Sequence, residues 1–204
     1  MGAQHLHSDG DDAVLRDLRQ EVRTTPPLRP GEQENLLHRA ALGDRASLDR
    51  LVAANLAMVI RMAEARQDRG LSVSDLVQEG SLGFLEAVST FGRADAADFA
   101  AFAESRVGAQ MDAAIASEAA AVRDAEQLVA AATDYERTEI LLRKLLQRSA
   151  TEAEIAEKLE WSVERTRYVA QVVAEARRRH DEELLAFIDP DAIDPEAFDD
   201  ALDG

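Results

Sequence analysis

The stretch Ser72-Val-Ser-Asp-Leu-Val-Gln-Glu-Gly-Ser-Leu-Gly-Phe-Leu-Glu-Ala-Val-Ser-Thr-Phe91 carries two stripes at helical spacing. Val73, Leu76, Val77, Gly80, Phe84, Ala87 and Val88 share one face, which a three-four period assigns to a core. Asp75, Gln78, Glu79, Leu82 and Glu86 form a second stripe, with Ser81 and Leu85 beside it. Apolar side chains ringed by carboxylates and an amide suit a docking surface for another helix. On spacing alone, the plainer reading of scattered surface leucines stays open beside it. Ser72 predicts an N-cap, with Asp75 at the third helical position in a capping-box-like arrangement. Gly92 predicts a left-handed stop just after Phe91.

Helical patterns continue on both sides. Upstream, Leu48, Leu51, Val52, Leu56, Val59, Ile60 and Ala63 predict a long amphipathic helix over 44–66, and Gly70 ends the turn that follows. Residues 1–30 hold one short helical pattern (Val14, Leu15, Leu18, Val22) before a breaker rich in proline, and read as a flexible arm. Ordered structure is expected from about Gly31. Downstream, Phe99, Phe102, Ala103, Val107, Met111 and Ala114 predict a helix over 98–117, continued through the alanines of 118–133 and again over 135–147. Thr151 with Glu154 opens a short helix to Leu159. After a turn at Glu160-Trp-Ser162, a longer helix runs to about His180. Short helix, tight turn, longer helix is the helix-turn-helix outline.

Composition agrees with an all-α chain. Of 204 residues 38 are alanine, while aromatics supply only 4%, a balance that favours packed helices over sheets. The net charge is −17, unevenly placed. Residues 181–204 contain ten acids and no base, so this segment alone carries −10 and reads as an acidic, extended tail from Asp189 onward.

Little in the chain suits catalysis. With no cysteine there is no disulfide, thiolate nucleophile or Cys-ligated metal. The four histidines are scattered, and His5-Leu-His7 sits in a polar arm whose composition reads as an ordinary terminus. No glycine-rich phosphate loop is present. The expectation is a non-enzyme without cofactor or metal. Lacking a long apolar run and a signal peptide, it reads as a cytoplasmic protein.

The run Asp75-Leu-Val-Gln-Glu-Gly-Ser-Leu-Gly-Phe-Leu85 resembles the core-binding helix of the bacterial sigma-70 family of RNA polymerase initiation factors. The resemblance extends through Leu51-Val-Ala-Ala-Asn-Leu-Ala-Met-Val-Ile60, Arg69-Gly-Leu71, Phe91 and Phe99-Ala-Ala-Phe102-Ala103. It covers about residues 31–200. It implies a region-two-like core-binding domain over 31–118, a region-three-like helix-turn-helix domain over 119–180, and a tail over 181–204 like the segment that enters the polymerase cleft. It further implies that Asp75, Gln78, Glu79, Ser81, Leu82 and Leu85 contact the basic coiled-coil clamp of the polymerase largest subunit. The chain stops near where the family's fourth region is expected to begin.

Promoter-facing positions depart from the family. Its adjacent tryptophans are Ser105 and Arg106 here, its upstream aromatic is Ala97, and a usual lysine is Asp98. Strand opening needs flat π faces and cations. Residues 91–113 hold two bases against four acids, and the predicted outward face is Asp98, Ala101, Glu104, Ser105, Gly108 and Asp112. The core stripe accounts for Phe99 and Phe102 as packing residues. The family's Asn-Leu-Arg reads Asn55-Leu56-Ala57, and its proline-containing segment has become Ala119-Ala-Ala-Val-Arg-Asp-Ala-Glu126. Asn55, Arg106, Arg165, Arg167 and Tyr168 remain as candidate DNA contacts.

The expected function is therefore a sigma-factor-like protein that binds polymerase core, with weakened or absent promoter melting and no upstream-element recognition. Two versions stay open: a working but atypical sigma factor, and a remnant that regulates without reading promoters. The alternative is a sigma-derived interaction module that sequesters a regulatory protein without touching polymerase.

Overall fold

The structure, a computed structural model, describes residues 3–186. Every regular element among them is helical: α1 (Ala3–Thr24), α2 (Glu32–Ala41), α3 (Arg45–Glu64), α4 (Val73–Thr90), a 3₁₀ turn (Phe91–Arg93), α5 (Phe99–Leu146), α6 (Glu152–Leu159) and α7 (Val163–Ala186). The chain forms two compact units that divide between Val122 and Arg123, inside α5. The extended reading from Asp189 lies outside the described residues; 181–186 continue α7. No helix among the described residues is long and apolar enough to cross a membrane.

In the first unit α1, α2 and α4 pack on α3, and α1 and α2 also touch α4. One core joins Leu51, Leu56, Val59 and Ile60 of α3 with Leu76, Val77, Phe84 and Val88 of α4 and Phe99, Val107 and Met111 of α5. The 44–66 pattern becomes α3 because its apolar stripe lands on that core. Ser72 caps α4 as expected: its hydroxyl accepts from the Asp75 amide at 3.1 Å. The reciprocal half differs from a capping box, because Asp75 accepts from the Ser72 hydroxyl (2.8 Å) and not from the Ser72 amide.

Three expectations are corrected here. Ordered structure begins well before Gly31. The pattern Val14, Leu15, Leu18, Val22 forms α1, with Leu15 buried and Leu18 and Val22 packed on the core. Arg19 bonds Glu64 at 2.6 Å, and Ser74 donates to Asp11 at 2.5 Å. The prolines end this helix without detaching it: Thr24 and Thr25 hydroxyls cap carbonyls of Gln20 and Glu21, and Pro26 and Pro27 forbid continuation. Secondly, Gly92 is not left-handed; the chain leaves α4 through the 3₁₀ turn, and positive φ occurs at Gly31, Gly43 and Gly70. Thirdly, the patterns over 98–117, 118–133 and 135–147 are one helix, α5, since no glycine or proline interrupts the alanine-rich stretch.

The second unit gathers Ala131 and Tyr135 of α5, Ile155 of α6, and Val169 and Val173 of α7 into a small core. α6 opens with a complete capping box between Thr151 and Glu154. Arg148 also grips that carboxylate at 2.6 Å, which with the Thr151 amide and hydroxyl holds the Glu154 pKa down to about 2. Glu160 makes the left-handed turn (φ 56) into α7.

Candidate functional site

α4 is seated on α5 by its glycines. A Cβ on Gly83 would lie 2.9 Å from the Arg106 carbonyl oxygen and 3.1 Å from the Val107 Cα. One on Gly80 would meet Met111 Cε at 2.2 Å and Val59 Cγ1 at 2.9 Å. Both glycines of the Gln-Glu-Gly-Ser-Leu-Gly run thus have a structural task, close backbone approach. With its back fixed, α4 turns the second stripe outward.

That stripe is not uniform. Asp75 and Gln78 are exposed, Leu82 is 54% exposed and Leu85 36%. Glu79 is half-buried and accepts from Gln110 of α5 at 2.8 Å, which fixes its carboxylate near the α5 seam. Ser81 donates back to the Val77 carbonyl at 2.7 Å, so its hydroxyl is already engaged. Glu86 lies 3.4 Å from Arg106. The freely presented groups are Asp75, Gln78, Leu82 and Leu85: an apolar pair beside a carboxylate and an amide.

The outward face of α5 has a different composition. Asp98, Ala101, Glu104, Ser105 and Asp112 are exposed as expected. Gly108 is buried, a correction to the expected face: Arg66 lies across it, with Nη2 at 3.0 Å from where a Cβ would stand. Arg66 reaches on to Asp112 through two bonds of 3.1 and 3.2 Å, and Arg69 joins the same carboxylate at 2.9 Å. Hydrogen bonds from Arg66, then Arg69, hold the Asp112 carboxyl below the usual aspartate range. Arg61 pairs with Glu104 at 3.5 Å. The arginines at the C-terminal end of α3 are thereby matched to acids of α5. This pairing was not legible beforehand, because it depends on which helix ends meet.

The aromatic side chains of this region are core. Phe99 is buried, edge-on to Phe84 (5.8 Å) and Phe91 (5.2 Å), and Phe102 is half-buried 5.7 Å from Phe91. Arg106 sits 5.2 Å over the Phe102 ring. Asn55 is half-buried and donates to the Leu51 carbonyl at 2.8 Å, inside its own helix.

In the second unit, Arg165 stacks 4.4 Å over Trp161 and Arg167 pairs with Glu152 at 3.1 Å. Tyr168 is 57% exposed and lines a shallow cavity with Arg165 and Leu128. Among the described residues no group of three or more His, Asp or Glu is placed to hold a metal.

A family model for sigma-70 region 2 matches residues 51–118, the segment from α3 into α5. The chain is 30% identical over 175 residues to the RNA polymerase sigma factor SigA of Synechocystis, covering 82% of this chain and 41% of that protein. Against SigA of Nostoc it is 31% identical over 166 residues, 78% of this chain and 42% of the relative. SigA of Clostridium acetobutylicum gives 30% over 165 residues, 81% and 43%. The chain is a divergent member of the sigma-70 family. It spans about two fifths of the length of these relatives. In this sigma-70 family member the matched region holds both faces described above, the α4 stripe and the acid-paired α5 surface.

Proposed function

We propose that this chain acts in transcription initiation or its regulation by docking on RNA polymerase core through the outward face of α4, with little capacity to melt promoters. The observation that carries the reading is the exposed pair Leu82 and Leu85, set beside Asp75 and Gln78 on a helix whose back is locked to α5. A basic coiled-coil clamp is the complementary partner: the leucines supply burial, and the carboxylate supplies attraction and orientation. Weak melting follows from the α5 face, where no aromatic ring is presented for base stacking and the nearby arginines are already held by Asp112 and Glu104. In the second unit, Arg167 is likewise held by Glu152, leaving Arg165 and Tyr168 as the nearer candidates for a modest DNA contact.

Co-elution of the purified chain with polymerase core tests the docking. Asp75→Ala with Leu85→Ala is expected to weaken it about thirtyfold, roughly 2 kcal/mol at an interface anchor. Core loaded with the chain is expected to give product from a pre-melted promoter and little from a duplex one. Full product from the duplex overturns the weak-melting part. If the chain does not associate with core at all, the sequestering alternative takes its place.

A further inference from the structure

α1, α3 and α4 together border an open groove of about 490 Å³. Leu56 and Val77 form its buried floor, while Val14 on α1 and Leu82 on α4 stand at opposite rims, 46% and 54% exposed. Two carboxylates, Glu21 and Glu79, border it and no base does. α1 is fixed in place by the burial of Leu15 and the Arg19–Glu64 and Ser74–Asp11 bonds, so its rim is part of the folded unit.

Leu82 belongs to two surfaces at once. It is a member of the outward stripe of α4, and it is one wall of this groove. A helix laid along α4 therefore passes over the groove mouth, and any apolar side chain on that helix finds a cleft walled by Leu82 and Val14. Basic residues flanking that side chain meet Glu21 on one side and Glu79 on the other. Apolar anchors in pockets carry most of an interface's energy, and opposite charge at the margin fixes register.

We propose that α1 is the second wall of the polymerase-docking surface, and that the groove takes one apolar side chain from the basic helix pair of the clamp. The proposal rests on the polymerase reading given above and adds to it a contact made by α1. Sigma-type docking through α4 alone needs neither Val14 nor Glu21.

The test titrates labelled full-length chain with polymerase core. Val14→Asp and Glu21→Arg both alter exposed positions, and far-UV circular dichroism with thermal melts checks that α1 stays folded. Val14→Asp is expected to weaken binding about tenfold. Glu21→Arg is expected to weaken it about threefold, with the loss shrinking as salt is raised. Leu85→Ala, which lies outside the groove, reports on the polymerase reading independently. If Leu85→Ala weakens binding while Val14→Asp and Glu21→Arg bind as the unaltered chain does, the groove proposal is overturned and the α4 reading stands. If all three bind unchanged, both fall.

Discussion

α4 and the first turns of α5 are neighbouring helices of one core, and their inner faces obey the same rule. Both bury a three-four stripe, and each closes on the other without space for a Cβ at Gly80 or Gly83. Their outer faces diverge. α4 presents Leu82 and Leu85 beside Asp75 and Gln78, whereas α5 presents acids whose charge is taken up by arginines of α3. Inner faces report the fold and are explained by burial alone. Outer faces report what the fold is used for, and here they have separated: one keeps the composition of an interface, the other has become a charge-neutralised surface. A lineage can keep the partner-binding helix while losing the nucleic-acid face, since the two share a core and not an outer surface.

The most forceful way to break that comparison is to separate the two helices. Gly83→Ala places a methyl against the Arg106 carbonyl and Val107 Cα, backbone atoms that cannot rotate away. The expected cost is about 1–3 kcal/mol of stability, the usual range for overpacking, read from chemical denaturation. Gly80→Ala is expected to cost less, because its closest neighbour is the flexible end of Met111. Equal costs at both positions would show that backbone approach is not what holds α4.

Next in size is the outward face itself. Leu82→Ala with Leu85→Ala removes both exposed anchors while leaving the core stripe intact. Stability is expected to change by less than about 0.5 kcal/mol, as for surface sites, while affinity for polymerase core falls by about 2 kcal/mol. A large loss of stability with unchanged binding would reassign these leucines to folding.

Much of this division was readable in the sequence, and what was not has physical causes. The paired stripes of α4 follow from period alone, as do α3, the capping box of α6 and the turn into α7. The packing of α1 was obscured because Thr24-Thr-Pro-Pro reads as a boundary, although a proline ends a helix without saying what that helix packs on. Its four-residue pattern, Val14 to Val22, was the available signal. Gly108 looked outward by angle; its burial comes from a long arginine laid over it from another helix, which no local pattern encodes. The same holds for Arg66 and Arg69 meeting Asp112: sequence gives the charges but not their partners.

A smaller effect sharpens the α5 side of the comparison. Asp112→Ala releases Arg66 and Arg69 without altering the core, since Asp112 is exposed. Affinity for single-stranded DNA is expected to rise about threefold, with a salt slope steeper by roughly one to two, as for one or two added phosphate contacts. Folding stability is expected to fall by less than about 1 kcal/mol, since all three side chains are at least partly exposed. Unchanged DNA binding would mean that acid pairing is not what silences this face.

The smallest expected effect is a titration. Asp112 has its folded pKa depressed, chiefly by the Arg66 hydrogen bonds and then by Arg69, relative to an unfolded value of about 3.9. A depressed carboxyl pKa contributes stability that is fully present above the unfolded value and is lost as pH falls through the folded one. The pairing is thus complete at neutral pH and opens only in acid, so pH near 7 does not modulate the α5 face. Carboxyl-carbon NMR is expected to place the Asp112 midpoint below that of a free aspartate. Arg66→Ala should return it most of the way, and Arg69→Ala less, in the order of their contributions. An Asp112 that titrates normally in the unaltered chain would mean that its carboxylate does not hold these cations in solution. Arg66 and Arg69 would then be available to nucleic acid, and the contrast with α4 would rest on the missing aromatic surface alone.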